Sequence, residues 1–412
     1  MEMHRLDPRT SVPEALRAVL SRIRPVERTE LLSVPTVAGR VAAENVTARV
    51  PVPAFPCSHV DGYAVRTRDL KGVSATRPVS LRMVGAIHAG ECFPRALAAG
   101  ETVAIATGAP VPRGADAVEM FENVDAKGRS IRFSLSVVPG ENVDPAGGDL
   151  ASGTRIVTQG TPLTPALIGL LSLAGYDQVR VYARPVVGVL SSGNELRLPG
   201  PEPLPYGKVF EANSAALSAL IDPNGGVPKV LPPVRDVSSV LERALRRALA
   251  VSDMVVVSGG SSVGERDLLH TVLPRVGTVL FHGVKVRPGM PTIAAESEGK
   301  VILGMPGHPA SCLSNALWLL VPAVRKLSHL PEDGTSRVRV RMARDTPLHG
   351  HGFSTVVPLR IQGETARSTF HGSHFITSLH PANGYAIFPP AKRHLRQGES
   401  IYARRALFLG GA

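Results

Sequence analysis

The chain has 412 residues, too many for one ordinary core, so two to four domains are expected. Hydrophobic residues make up 43% and charged residues 19%, a globular balance that excludes a disordered chain. The net charge is +12, yet the basic residues form no tract and aromatics are only 4%, which points to anionic small ligands rather than nucleic acid.

The opening residues MEMHRLDPRT are polar and lack a signal-peptide core. No apolar run reaches a membrane span of about 18–20 residues. Cys57, Cys92 and Cys312 stand singly, with no zinc spacing and no disulfide framework. Together these features predict a cytoplasmic protein without a membrane partner.

In chain order, SVPEALRAVLSRI (11–23) opens with Ser11 and Pro13, a cap and first-turn pair, and Leu16, Val19, Leu20 and Ile23 follow at helical spacing. From Val50 to Val138, short β-prone runs (PVSLRMVG, TVAIATG, DAVEMFENV, SIRFSLSVV) alternate with Gly and Pro, which predicts an inserted all-β domain over 51–138. TPLTPALIGLLSLAGY (161–176) reads as a helix, entered through Thr and Pro and left near Gly175. The two helical stretches are expected to form one discontinuous domain, 1–50 plus 139–182.

Residues 183–330 alternate apolar strands (PVVGVLSS, KVLPPV, MVVVSGG, VILGMPG) with helices. That order predicts a parallel-rich sheet with helices on both faces, a three-layer α/β domain. The stretch 335–412 is again β-like (RVRVRMA, FSTVVPLRI, GYAIFP, SIYARRALF) and predicts a C-terminal β domain. The fold class expected is multidomain α/β and β.

In open parallel sheets, ligands bind at the carboxyl ends of the strands. Three small-residue turns sit there: VLSSGNEL (189–196) with Ser191, Ser192 and Gly193; SGGSSVGERD (258–267) with Gly259, Gly260, Ser262 and Gly264; and GMPGHPASC (304–312) with Pro306, Gly307, Pro309 and Ser311. Glycine lets backbone N–H groups approach a ligand, and such turns make nests for phosphate or another oxyanion. Neither G-x-x-x-x-G-K-[ST] nor G-x-G-x-x-G occurs, so the common nucleotide fingerprints do not apply. Glu195, Asp236 and Asp267 follow three of the strands; Asp236 could equally cap the next helix. Acids beside an anion nest need a divalent cation between, and Mg²⁺, held by one or two carboxylates plus phosphate oxygens, is the usual solution. Lys285 and Arg287 stand two apart, the spacing at which strand residues point the same way, and are candidates to clamp a second anion.

These segments, with CSHVDGYAV (57–65), ATGAPVP (106–112) and PAGGDL (145–150), resemble in order and spacing the molybdopterin molybdotransferase (molybdenum insertase) family, which includes the E domain of gephyrin. The resemblance runs from the first helix to the C-terminal β tail. It implies a helical segment, an inserted β domain, a molybdopterin-binding α/β domain and a C-terminal barrel-like domain. It also implies a homodimer with its active cleft between subunits. The implied chemistry is insertion of molybdate, with tungstate as the alternative, into adenylylated molybdopterin, with Mg²⁺-dependent release of AMP. An upstream adenylyltransferase and downstream molybdoenzymes are the implied partners.

Carried over residue by residue, the resemblance assigns catalytic roles to Asp61, Thr107, Asp149, Glu195 and Asp267. Metal contacts fall to Glu195, Asp236 and Asp267, and oxyanion contacts to Lys285, Arg287 and Ser311. Asp61, Thr107 and Asp149 would come from the partner subunit. The chain departs from the family pattern at Asn194, Gly148, Met290 and His308, and at Cys57 and His59. His308 reads as a helix-cap or surface residue, His371 and His374 as hydrogen-bonding turn residues, and Cys57 as packing. Two other readings are a pterin-binding scaffold of the same fold and a pyrophosphate-cleaving nucleotide hydrolase.

Overall fold

The computed structural model describes residues 10–260, 268–333, 336–348, 350, 352–372 and 374–406. The chain forms two compact units: one of Met1–Glu30, Gly39–Val41 and Val181–Ala412, the other of Leu31–Ala38 and Ala42–Arg180.

The first unit is built on a six-stranded sheet. Its order is Val227–Val230, Val186–Ser191, Met254–Ser258, Lys300–Met305, Ile293–Ser297 and Thr278–His282. The first four strands run parallel and the last two pair antiparallel. Both faces are covered, which is why the strands are apolar throughout. Val187, Val189, Met254 and Val256 pack on one side with Leu217, Ile221 and Leu320. Leu190, Val255 and Val257 pack on the other with Leu241, Leu245 and Leu273. Each such buried side chain contributes about 1.5–3 kcal/mol.

The first helix, Val12–Leu20, begins in a capping box. Ser11 and Glu14 satisfy each other's backbone, and the Ser11 N–H, then its hydroxyl, donate to the Glu14 carboxylate and hold it below its ordinary range. Its domain assignment needs correction. Val12, Ala15 and Val19 are buried in the same core as the sheet residues Val187 and Met254, and the helix falls in the first unit. A single apolar stripe states that a helix packs on something, not on what.

The C-terminal strands close on themselves. Ser354–Gln362 pairs with Thr365–Ser368 and Gly384–Phe388, and Ser336–Met342 pairs with Thr365–Ser368 and Ser400–Arg405. The pairing of Gly384–Phe388 with Ser400–Arg405 completes a five-stranded barrel. The barrel abolishes its own edges and is continuous with the α/β domain through the short strand Val286–Arg287, which pairs with Ser354 and Thr355.

The second unit carries the inserted β domain, a sheet ordered Ala117–Met120, Gly62–Val65, Glu101–Ile105, Val79–Ile87, Ser130–Phe133 and Val124–Lys127. The helix Pro165–Leu173 also belongs to it, capped by the Thr164 side chain as its Thr-Pro entry predicts. No helix among the described residues is long and apolar enough to cross a membrane.

Candidate active site

At the carboxyl edge of the parallel sheet, three turns meet. Ser192 N donates to the Ser258 carbonyl at 2.9 Å, and Gly259 N to the Met305 carbonyl at 3.1 Å, so backbone bonds stitch strand end to strand end. Gly259 (φ +86°) is obligatory here: a Cβ would stand 2.2 Å from the Ser192 carbonyl oxygen. Gly307 lies against Gly259, with 3.5 Å between its would-be Cβ and the Gly259 Cα.

Asp236 does not cap the helix Ser238–Ala250, whose N-cap is Val237. Its carboxylate instead accepts from Ser192 Oγ at 2.7 Å and from Asn194 N at 3.2 Å, and its own N–H donates to Asn194 Oδ1. Glu195 is exposed on the same turn, its carboxylate curled over Gly193, where a Cβ would meet Oε1 at 2.7 Å. Glu195 and Asp236 therefore share one rim with Gly259 and Gly260. Ser262, Gly264 and Asp267 lie outside the described residues.

Sequence reasoning missed Glu211 and Asn213. Glu211 is buried (7% exposed) and accepts from Ser191 Oγ and Ser214 N, both at 2.9 Å. Ser191 Oγ also meets Ser258 Oγ at 2.9 Å, so a buried polar cluster underlies the rim. Asn213 donates through Nδ2 to the Gly307 carbonyl at 2.9 Å, while its buried Oδ1 has no partner among the described residues. The signal for both was their position, directly after a strand and opening the helix Asn213–Ile221.

A cavity of about 810 Å³ opens between the α/β domain and the barrel. Pro306, His308 and Ser311 line it from the third turn; Arg344, Thr355, Ser368 and His374 line it from the barrel; Arg287 and Met290 complete it. Among the described residues its fixed charges are two guanidiniums and the Asp345 carboxylate. Arg344 Nη2 donates to the Ser368 carbonyl at 3.1 Å, and Arg287 lies 5.0 Å from the centre of the Phe353 ring. The loop carrying Arg287 is fixed by Asn315, whose Nδ2 donates to the Gly289 carbonyl at 2.7 Å. Lys285 borders a different cavity, with Leu16 and Tyr385. Val286 alone makes a strand with Arg287, and the Arg287–Pro288 turn follows at once.

In the second unit, Asp61 Oδ1 accepts from Thr107 N at 2.7 Å and Thr107 Oγ1 at 2.9 Å. The backbone donor first, then the hydroxyl, hold this carboxyl below its ordinary range. Gly62 is fixed by close approach, since a Cβ would lie 2.1 Å from the Glu119 carbonyl oxygen. Asp149 is exposed, in a turn held by backbone bonds to Val52. Cys57 is buried, and burial raises its thiol pKa first of all. His371 has both ring nitrogens at hydrogen-bonding distance, from the Thr369 carbonyl and Thr377 Oγ1.

Residues 10–175 match the family model described as the MoeA N-terminal region (domain I and II), and residues 188–326 match that of the Probable molybdopterin binding domain. The molybdopterin molybdenumtransferase of Nostoc sp. is 30% identical over 413 residues, covering 97% of this chain and 94% of the relative. The chain belongs to the molybdopterin molybdenumtransferase family. That of Haemophilus influenzae is likewise 30% identical, with 95% and 97% covered. A solved molybdopterin biosynthesis MoeA protein from Pyrococcus horikoshii superposes with a TM-score of 0.84 at 32% identity, covering 98% of this chain and 100% of that one. Membership agrees with the architecture: a multidomain α/β and β chain with a closed five-stranded barrel. The family is one of transferases.

Proposed function

We propose that this protein inserts molybdate into adenylylated molybdopterin and releases AMP, a step of molybdenum cofactor biosynthesis. The observation that carries the reading is the position of the 306–309 turn. One side of it touches the small-residue rim through Gly307, Gly259 and Asn213; the other lines the cationic cavity through Pro306 and His308. A diphosphate substrate and a dianionic oxometalate need two such adjoining anion sites.

On this reading, the Gly260 backbone N–H faces the diphosphate, the Ser191 and Ser192 hydroxyls hold the rim in shape through Glu211 and Asp236, and Asn213 Oδ1 accepts from an N–H of the substrate. Arg287, Arg344 and Ser311 hold the oxyanion. Mg²⁺ would be held by Glu195, Asp236 and Asp267. The donor set fits the ion, because hard carboxylate oxygens stand at the rim and Mg²⁺ is completed by substrate phosphates rather than by a protein cage. When bound, the ion neutralises phosphate charge. Asp236 is held in place by Ser192 and Asn194 through one lone pair of each oxygen, which leaves the others for the ion, and Glu195 is the exposed carboxylate. The protein acts as a homodimer in this reading, with Asp61 of the partner subunit, Thr107 of the partner subunit and Asp149 of the partner subunit completing the site.

The test is AMP formation from adenylylated molybdopterin with Mg²⁺, with and without molybdate. Molybdate-dependent AMP supports insertion. AMP without any oxyanion indicates a hydrolase, and tight pterin binding without AMP a scaffold. Tungstate in parallel decides whether the site separates the two oxyanions.

A further inference from the structure

Two imidazoles stand at the cationic cavity. His308 precedes the helix Pro309–Asn315 and makes no side-chain capping bond. His374 comes from the barrel loop after Thr365–Ser368. Both are exposed and both line the cavity, with ring centres 6.2 Å apart. His374 also packs on Phe375, centre to centre at 4.2 Å. Among the described residues, the other charged groups lining the cavity are Arg287, from the strand Val286–Arg287, and Arg344 and Asp345, from the turn after Ser336–Met342.

Two imidazoles this close suit either a transition-metal cation or an anion. Charge decides between them. Among the described residues, two guanidiniums against one carboxylate leave the cavity with one net positive charge before either ring is protonated. Among the described residues no third ligating side chain joins the pair. A metal cation would be repelled; an anion is drawn in and favours protonation of both rings.

We propose that His308 and His374 are oxyanion-binding residues whose protonation sets the affinity of the cavity for its tetrahedral dianion. The inference rests on the reading above and deepens it. Protonated, the rings add two charges and new N–H donors at the mouth; neutral, they add neither. Affinity is therefore highest when both rings are charged and is lost as pH rises through the imidazole range.

Molybdate binding to the full chain, measured calorimetrically at about pH 8 and about pH 6, tests this. Wild-type protein is expected to bind about tenfold or more tightly at the lower pH, and the H308N/H374Q variant to change by less than about twofold. Each single substitution is expected to fall between. Constant wild-type affinity overturns the inference, as does tightening that survives the double substitution or binding that a chelator abolishes. Any of these leaves the insertion reading standing. Absence of molybdate binding at both pH values, together with absence of AMP release, removes that reading as well.

Discussion

Gly259 lies so close to Ser192 that a Cβ on it would stand 2.2 Å from the Ser192 carbonyl oxygen. Its φ of +86° adds a second reason for glycine. Gly259→Ala should therefore separate the turns at 192 and 307, at a cost of about 2 kcal/mol or more. Chemical denaturation reads the stability, and phosphate-ligand affinity should fall with it.

Asp61 and Thr107 give a pH prediction. The Asp61 carboxyl is held below its ordinary range by the Thr107 backbone N–H and then by its hydroxyl. A depressed folded value contributes stability above the unfolded Asp range, about pH 4, and that contribution is lost as pH falls through the folded value. Thr107→Val removes the hydroxyl alone. A carboxyl-carbon NMR titration should place Asp61 low in wild type, and higher in the variant but still below the ordinary value.

Ser11→Ala removes half of a capping box. A loss of about 1 kcal/mol is expected in thermal or chemical unfolding. Because the helix Val12–Leu20 packs in the sheet core, the loss should appear in the transition of the α/β unit. An unchanged midpoint would show the box to be ornamental.

Subunit mixing tests the dimeric site. Asp61→Ala and Asp236→Ala proteins should each be inactive alone. Unfolded and refolded together, they should recover about a quarter of wild-type activity, since half the dimers carry one intact site of two. No recovery would place all the acids in one subunit's site.

Much of this was legible in the sequence. The apolar runs around Val187 and Val255 announced strands buried on both faces, and the Ser11 and Thr164 caps announced their helices. Glu195 and Asp236 could be placed on one rim because the carboxyl ends of parallel strands gather on one edge whatever the side chains. What the sequence hid was long-range. The first helix carries no mark of the sheet it packs on. Barrel closure depends on Thr355 and Phe388 pairing across more than one turn. Arg344 and His374 reach the cavity of Arg287 only because that barrel closes, so nothing local to them signals an anion site.

The most direct measurement is the rate of AMP release by wild type and Asp236→Ala at saturating molybdate, with folding monitored alongside. The rim described here predicts a fall of about 100-fold with the α/β unit still cooperatively folded. An unchanged rate in a folded variant would contradict it, because the strand-end carboxylates would then have no part in the chemistry.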